Sequence, residues 1–418
     1  MNTTNTTVRD TVFVARQPIF DKHKTLHAYE LLFQSGTEAP PAGADTSTLD
    51  LIASSLLVIG LDELTGQKRG FINFTRNLLL KGASDLLPSD LVTIEIAEHI
   101  APDDEVLAAC RKLKAAGYTL ALDGFALSGL GSPLLELADI VKVDFLAVCP
   151  QDRTRIAEEL DHRNILSLAK KVETIEDFDA AVATGYAYLQ GYFFSKPMIH
   201  AGNRIASNRL NQFCLLNEVH RPDLSYDDLE AIIKQDVALT YHLLKYINSV
   251  WFALRCEVTG IKHALVVLGA GEIRRWAALM SLRNAVSDKP SELLLRSLTR
   301  ARMCESLAPH LGMAANTSDL FLLGMFSVID ALLDMPMAEV LPKLPLAPAV
   351  TQALLGQPIR FRTVKDAVVA YEKGDWAAFA ANASELGLDT QIMPALFSQS
   401  LRWANQALGV VMTAESPA

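Results

Sequence analysis

Tyr29-Glu30-Leu31-Leu32-Phe33-Gln34 belongs to an apolar run from Ala28 that reads as a β-strand. A carboxylate in such a strand is costly unless it meets solvent, a cation or a hydrogen-bond donor. Taken alone, Glu30 is read most simply as an outward-facing residue on an edge strand. The rest of the first half argues for more. Upstream lies an apolar-rich opening, residues 12–20, followed by the turn-like Asp21-Lys22-His23-Lys24. Downstream, polar residues recur within or just after apolar β runs. Asn73 lies in 70–75, Glu95 in 91–96, Asp123 in 118–123, Lys142 in 139–144, Glu173 just after 165–169, and Gln190 in 188–193.

Helical patterns separate these runs. Residues 48–61 follow a Gly-, Ala- and Pro-rich loop over 35–45. Residues 103–116 have Pro102 before them, acidic residues in the first turn and Gly117 behind. Residues 174–184 end at Gly185. Strands and helices alternating at this spacing predict an α/β domain with a mainly parallel sheet. In a β/α barrel the C-terminal strand ends form the site. Carboxylates and an amide converging there are oxygen ligands for Mg²⁺ or Mn²⁺, and a lysine beside them can orient a water.

With 418 residues the chain exceeds one ordinary core, so two or three domains are expected. Its net charge of −10 sits mostly before residue 205, which argues against a nucleic-acid-coating surface. Cys110, Cys149, Cys214, Cys256 and Cys304 are scattered and form no C-x-x-C pair, which fits reduced thiols and excludes a thiolate metal knuckle. The opening residues lack the basic and apolar regions of a signal peptide. The longest membrane-like run, 320–333, is short and broken by Asp330. A cytoplasmic protein without a membrane segment is expected.

From about residue 205 helical spacing takes over. Ser225-Tyr226-Asp227-Asp228 resembles a capping box. Residues 237–251 form an apolar helix. Ile273, Trp276, Ala277 and Met280 share one helix face behind the turn at Gly269-Ala270-Gly271. Residues 320–333 are apolar nearly all round and so central. Helices over 364–371, 376–386 and 393–408 close an all-α domain.

The first half resembles EAL domains, the cyclic di-GMP phosphodiesterase family. The resemblance rests on Glu30-Leu31-Leu32, Phe71-Ile72-Asn73, Ile94-Glu95-Ile96-Ala97-Glu98, Ala121-Leu122-Asp123-Gly124-Phe125, Val141-Lys142-Val143-Asp144, Ala169-Lys170-Lys171-Val172-Glu173-Thr174 and Leu189-Gln190-Gly191-Tyr192-Phe193-Phe194-Ser195-Lys196-Pro197. The second half resembles the HDOD domain in Asp236-Val237-Ala238-Leu239, in residues 243–249, in 261–269 and in 323–330. There Ser327 and Val328 stand where a true HD enzyme would hold its metal-binding His-Asp pair. The resemblance implies a TIM-like (β/α) barrel of EAL type, complete or trimmed, over residues 1–203, then an α-helical HDOD bundle over 206–418.

Against the EAL pattern, a metal-bridging carboxylate is replaced by Gly124, an acidic metal-site residue by Lys170, and a phosphate-contacting arginine by Gln34. A Gly-Thr-Gly loop becomes Ala126-Leu127-Ser128. A lysine ~4 Å from a divalent ion would be repelled by roughly 8 kcal/mol at an effective dielectric of ~20. These departures lead to the expectation of a degenerate site and a non-catalytic signalling protein acting through protein partners. On that reading Glu30, Asn73, Glu95, Asp123, Lys142, Glu173 and Gln190 form a relic with no metal and no cofactor. Lys170 is then expected inside the site, paired with a carboxylate as counter-charge. Cyclic di-GMP is the candidate ligand, with Gln190 and Gly191 as remnant contacts, and a homodimer is compatible with this reading.

Overall fold

The computed structural model of the chain describes residues 12–35, 60–82, 87–193, 219, 226–234, 237–248, 258–285, 290–344 and 346–412. Eight strands close into a barrel in chain order: β1 (Val12–Asp21), β2 (Leu26–Ser35), β3 (Arg69–Phe74), β4 (Val92–Ala97), β5 (Thr119–Asp123), β6 (Ile140–Asp144), β7 (Leu166–Lys170) and β8 (Tyr188–Gln190). β1 runs antiparallel to both of its neighbours, β2 and β8, while all other pairs are parallel. The barrel is therefore complete. It also removes the edge-strand reading of Glu30, because β2 is paired on both sides.

Side chains along a strand alternate between faces, so one buried layer fixes the next. Ile19, Ala28, Phe71, Ala121, Ile140 and Leu168 pack together as a buried apolar cluster. Glu30 lies two residues beyond Ala28 on the same face, toward the C-terminal end of β2. Adjacent registers put Gln17 opposite Glu30, Asn73 beside Glu95, and Lys170 beside Gln190.

The connections follow local chemistry. Between β2 and β3 lies α1 (Leu61–Thr65), and between β3 and β4 lies α2 (Arg76–Leu80). α3 (Asp104–Ala115) links β4 to β5 and is capped by Asp103, whose carboxylate accepts from the Val106 amide at 2.9 Å. Two short 3-10 turns, Leu127–Gly131 and Pro133–Leu137, replace a helix between β5 and β6. α4 (Pro150–His162) links β6 to β7. α5 (Ile175–Ala183) begins at a Thr174–Asp177 capping box and leads to β8. The loop over 35–45 and the helix over 48–61 that the sequence predicts fall, but for their ends, outside the described residues.

The remaining elements are helical: α6 (Tyr226–Lys234), α7 (Val237–Ile247), α8 (Ile261–Ala285), α9 (Ser291–Leu307), α10 (Thr317–Met325), α11 (Ile329–Leu333), α12 (Met337–Val340), α13 (Pro348–Leu354), α14 (Arg360–Lys373), α15 (Trp376–Leu386) and α16 (Met393–Met412). Ser225 lies outside the described residues. α8 bends at Gly269, and Ile273, Trp276, Ala277 and Met280 beyond it are all buried. The single helix expected over 320–333 is interrupted by a 3-10 turn, Phe326–Val328. The stretch Ala314–Leu333 is apolar and long enough to span a membrane by composition, but 67% of its window is buried within the protein.

The chain divides into two compact units. The first comprises Met1–Phe193 with Val369–Ala383 and Asp389–Ser398; the second holds Phe194–Val368, Ser384–Leu388 and Gln399–Ala418. The sequence reading puts all residues after 206 together, whereas two C-terminal segments group with the barrel. Within that first unit, Phe13 on β1 packs against Tyr371, Trp376 and Phe379.

Candidate active site

Lys142 is the centre of the barrel's polar layer. It is 1% exposed, and its Nζ donates to Glu30 Oε2 at 2.8 Å and to Glu95 Oε1 at 2.5 Å. Glu30 also accepts from Asn73 Nδ2 at 3.1 Å and from Gln190 Nε2 at 2.6 Å. Five of the predicted residues, each from a different strand, thus join one network. Burial alone would raise the Glu30 pKa, but the Lys142 charge and the hydrogen bonds from Lys142, Gln190 and Asn73 outweigh it and hold it at about 2.

Glu95 differs. Burial and the nearby Glu30 charge push it up to about 8, despite Lys142. Burial works against the Lys142 ammonium too, yet the surrounding carboxylates hold its pKa above the ordinary lysine range. The two glutamates share one lysine, so their titrations are coupled. One ammonium neutralises the Glu30 carboxylate, and the raised pKa leaves Glu95 largely protonated near neutral pH. Glu95 Oε2 is buried without a hydrogen-bond partner, and a cation meeting it would favour the ionised form.

A second ion pair flanks the first. Lys170 Nζ stands 2.6 Å from Asp123 Oδ1, with both side chains about one-fifth exposed. Next to it, Lys171 pairs with Asp144 at 2.7 Å. Glu173 follows β7 and is half-buried. Gly191 follows Gln190, and a side chain there would strike the Val172 carbonyl oxygen. Gln34 is half-buried near the end of β2, opposite Phe13.

Gly124 has a positive φ of 73°, and a Cβ on it would lie 3.1 Å from Glu98 Oε2. The Glu98 carboxylate therefore overhangs the space where an aspartate side chain would begin. Sequence reasoning gives Glu98 no role of its own. The available signal is its spacing, three residues after Glu95 and just past the end of β4.

The EAL resemblance implies a divalent metal beside this network. The unpartnered, buried Glu95 oxygen is the observation that favours a cation there. Among the described residues no group of three or more acidic, histidine or cysteine side chains is placed to hold a metal ion as it stands. The lysines instead hold the carboxylates.

The EAL domain family matches residues 42–197, and the HDOD domain family matches residues 212–354. A protein of Vibrio cholerae, named cyclic di-GMP phosphodiesterase CdgJ, is 34% identical over 402 residues, 94% of this chain and 92% of that protein. An uncharacterized protein of Bacillus subtilis, YuxH, is 34% identical over 409 residues, 95% of this chain and 99% of that one. Among solved structures, a manganese and cyclic di-GMP complex of BlrP1 from Klebsiella pneumoniae is 24% identical with a TM-score of 0.37. That match spans 44% of this chain and 55% of BlrP1.

The Vibrio relative corrects two expectations. A non-catalytic signalling protein and a chain that is no enzyme are both at odds with a relative that matches nearly end to end and bears the name of a phosphodiesterase. The physical reason lies at two residues. Lys170 is not an isolated charge set against a metal, because Asp123 neutralises it at contact distance. Gly124 does not leave its space without a carboxylate, because Glu98 brings another there.

Proposed function

The chain belongs to the family of proteins that join an EAL domain to an HDOD domain, and on that premise we propose that it is a cyclic di-GMP phosphodiesterase working at the mouth of the barrel. The observation that carries this reading is the Lys142-centred network, with its unpartnered Glu95 oxygen. Glu30, Asn73, Glu95 and Asp123 would hold a divalent cation, with Glu98 beside the space at Gly124. When bound, that cation supplies Lewis-acid stabilisation of the charge that builds on the phosphoryl oxygens.

The reaction is hydrolysis of one phosphodiester. Water attacks phosphorus, one P–O ester bond breaks, and the ring opens to a linear dinucleotide. Lys142 stays an ammonium in this setting, so it cannot accept the proton that the water loses. Its role is to orient Glu30 and Glu95 and to offset their charge, and the proton passes to a carboxylate of the set. Asn73 and Gln190 fix the Glu30 carboxylate from two further sides. Lys170 holds Asp123 in place at the rim.

The helical unit holds the buried Glu305 carboxylate between Arg275 and Arg302. We assign it the partner-binding role, toward other signalling proteins or a second copy of the chain. The free cysteines, Cys110 and Cys304 buried and Cys149 exposed, support a reducing, cytoplasmic setting.

The test is chromatographic. Purified full-length protein with Mg²⁺ or Mn²⁺ is expected to convert cyclic di-GMP to the linear dinucleotide, and Glu30→Gln to abolish that conversion. Equal turnover in wild type and Glu30→Gln, or none in wild type with either metal, overturns the reading.

A further inference from the structure

The lysines of the barrel's polar layer are already spent. Lys142 is held by Glu30 and Glu95, and Lys170 by Asp123. Gln34, near the mouth end of β2, is neutral. A substrate carrying two phosphodiester charges would therefore meet a mouth rich in carboxylates. A cation able to face it has to come from elsewhere in this unit.

The C-terminal segment Val369–Ala383, part of the barrel unit, brings one. α14 ends at Lys373, and Gly374-Asp375 turns the chain into α15. The backbone carbonyl of Lys373 accepts from Gln17 Nε2 at 3.2 Å. Gln17 Oε1 accepts from Gln190 Nε2 at 3.3 Å, and the same Gln190 nitrogen donates to Glu30 Oε2. The turn is thus joined to Glu30 through two glutamine amides. It is held close by Gly374, whose φ is 68° and whose Cβ, if present, would lie 2.8 Å from Leu32 Cδ1. The Lys373 ammonium sits 4.8 Å from the centre of the Tyr192 ring, two residues past Gln190. Lys373 is exposed, and among the described residues no carboxylate pairs with it.

We propose that the Lys373–Gly374 turn is part of the phosphodiesterase site: its ammonium binds a phosphate of the dinucleotide, and its carbonyl positions Gln17 and Gln190 beside Glu30. This rests on the phosphodiesterase reading. A lysine docked over an aromatic ring keeps its donors available to an anion while losing part of its conformational freedom beforehand, which favours binding. The two roles separate by atom. The ammonium acts on substrate affinity. The carbonyl acts on Glu30 through Gln17 and Gln190, and so on the chemical step.

The experiment uses the full chain and four proteins: wild type, Lys373→Ala, Lys373→Arg and Gly374→Ala. Turnover of cyclic di-GMP with Mn²⁺ gives kcat and KM, and calorimetry with Ca²⁺ gives the affinity for the dinucleotide. Lys373→Ala is expected to raise KM and Kd roughly tenfold, the value of one charge-assisted hydrogen bond, with kcat and melting temperature unchanged. Lys373→Arg is expected to restore most of the affinity. Gly374→Ala, which pushes the turn off Leu32, is expected to lower kcat as well. The KM effect of Lys373→Ala should shrink as salt rises.

Unchanged KM and Kd in Lys373→Ala while wild type turns over overturns this inference and leaves the phosphodiesterase reading standing. If wild type binds but does not cleave, that reading fails, and the Kd ratio alone decides for or against the lysine. If wild type neither binds nor cleaves, both fall.

Discussion

Two charge clusters, one in each unit, are built from like ingredients in different proportion. In the barrel, one lysine serves two glutamates, and a buried Glu95 oxygen is left over. In the helical unit, Glu305 is paired with two arginines, Arg275 and Arg302, and Arg275 also pairs with Glu272. Tyr246 donates to Glu272 at 2.6 Å. The first cluster sets two glutamates against one lysine, while the second surrounds its most buried carboxylate with cations. Burial makes each expensive to break. Two glutamates to one lysine in the barrel leave room for a further cation there, and that difference separates a reactive site from an internal tie.

The largest expected effect lies in activity. Glu30→Gln keeps the shape of the network but removes the charge that Lys142, Asn73 and Gln190 converge on. Turnover is expected to fall by about three orders of magnitude, as for loss of a central catalytic electrostatic group. A fall of less than tenfold, measured by product chromatography, would move the site away from Glu30.

Next come two stability effects that sharpen the comparison. Lys142→Met leaves Glu30 and Glu95 buried together without their cation, at a cost of about 3–5 kcal/mol in denaturant unfolding. Glu305→Leu leaves Arg275 and Arg302 facing each other and is expected to cost a similar ~3–5 kcal/mol. The distinction is that Glu305→Leu protein, assayed below its unfolding transition, should retain cyclic di-GMP turnover, whereas Lys142→Met should not. Equal loss of turnover in both would erase the division between the clusters.

A smaller effect concerns pH. Glu95 is raised to about 8, so its contribution to stability is complete below the ordinary glutamate range and is lost as pH rises through about 8. Glu30 is lowered to about 2, so its contribution is present above that ordinary range and is lost only as pH falls toward about 2. Metal-free protein should therefore melt at lower temperature at about pH 9 than at about pH 6, and Glu95→Gln should flatten that slope. A slope unchanged in Glu95→Gln would assign it to another group. The smallest effect is expected at the rim, where solvent screens the pair. Lys170→Ala should lower metal-free stability by about 1 kcal/mol or less, and Lys170→Glu by somewhat more, with part of that recovered on adding Mg²⁺.

Much of the barrel is legible in the sequence because strand periodicity and polar strand ends are local signals. Glu30, Asn73, Glu95, Lys142 and Gln190 each sit in their own apolar run, and the barrel only has to close to bring them together. Closure itself is less legible. The antiparallel pairing of β1 with β8 joins the two ends of the barrel sequence, and no local pattern announces it. Two further features depend on space alone. Glu98 reaches the place beside Gly124 across neighbouring strand ends, and Lys373 reaches Gln17 from the far end of the chain. Lys170 misleads for a related reason. A charge reversal in a motif is visible in sequence, but the carboxylate that neutralises it, Asp123, lies 47 residues away.

The most direct test of the comparison is calorimetric titration of Mg²⁺ and Mn²⁺ into metal-free, full-length protein. Wild type and Glu305→Gln are expected to bind one ion per chain at the barrel site, and Glu95→Gln to bind it at least tenfold more weakly. Binding that is unaffected by Glu95→Gln, or no binding by wild type, would contradict the claim that the barrel cluster is built one cation short.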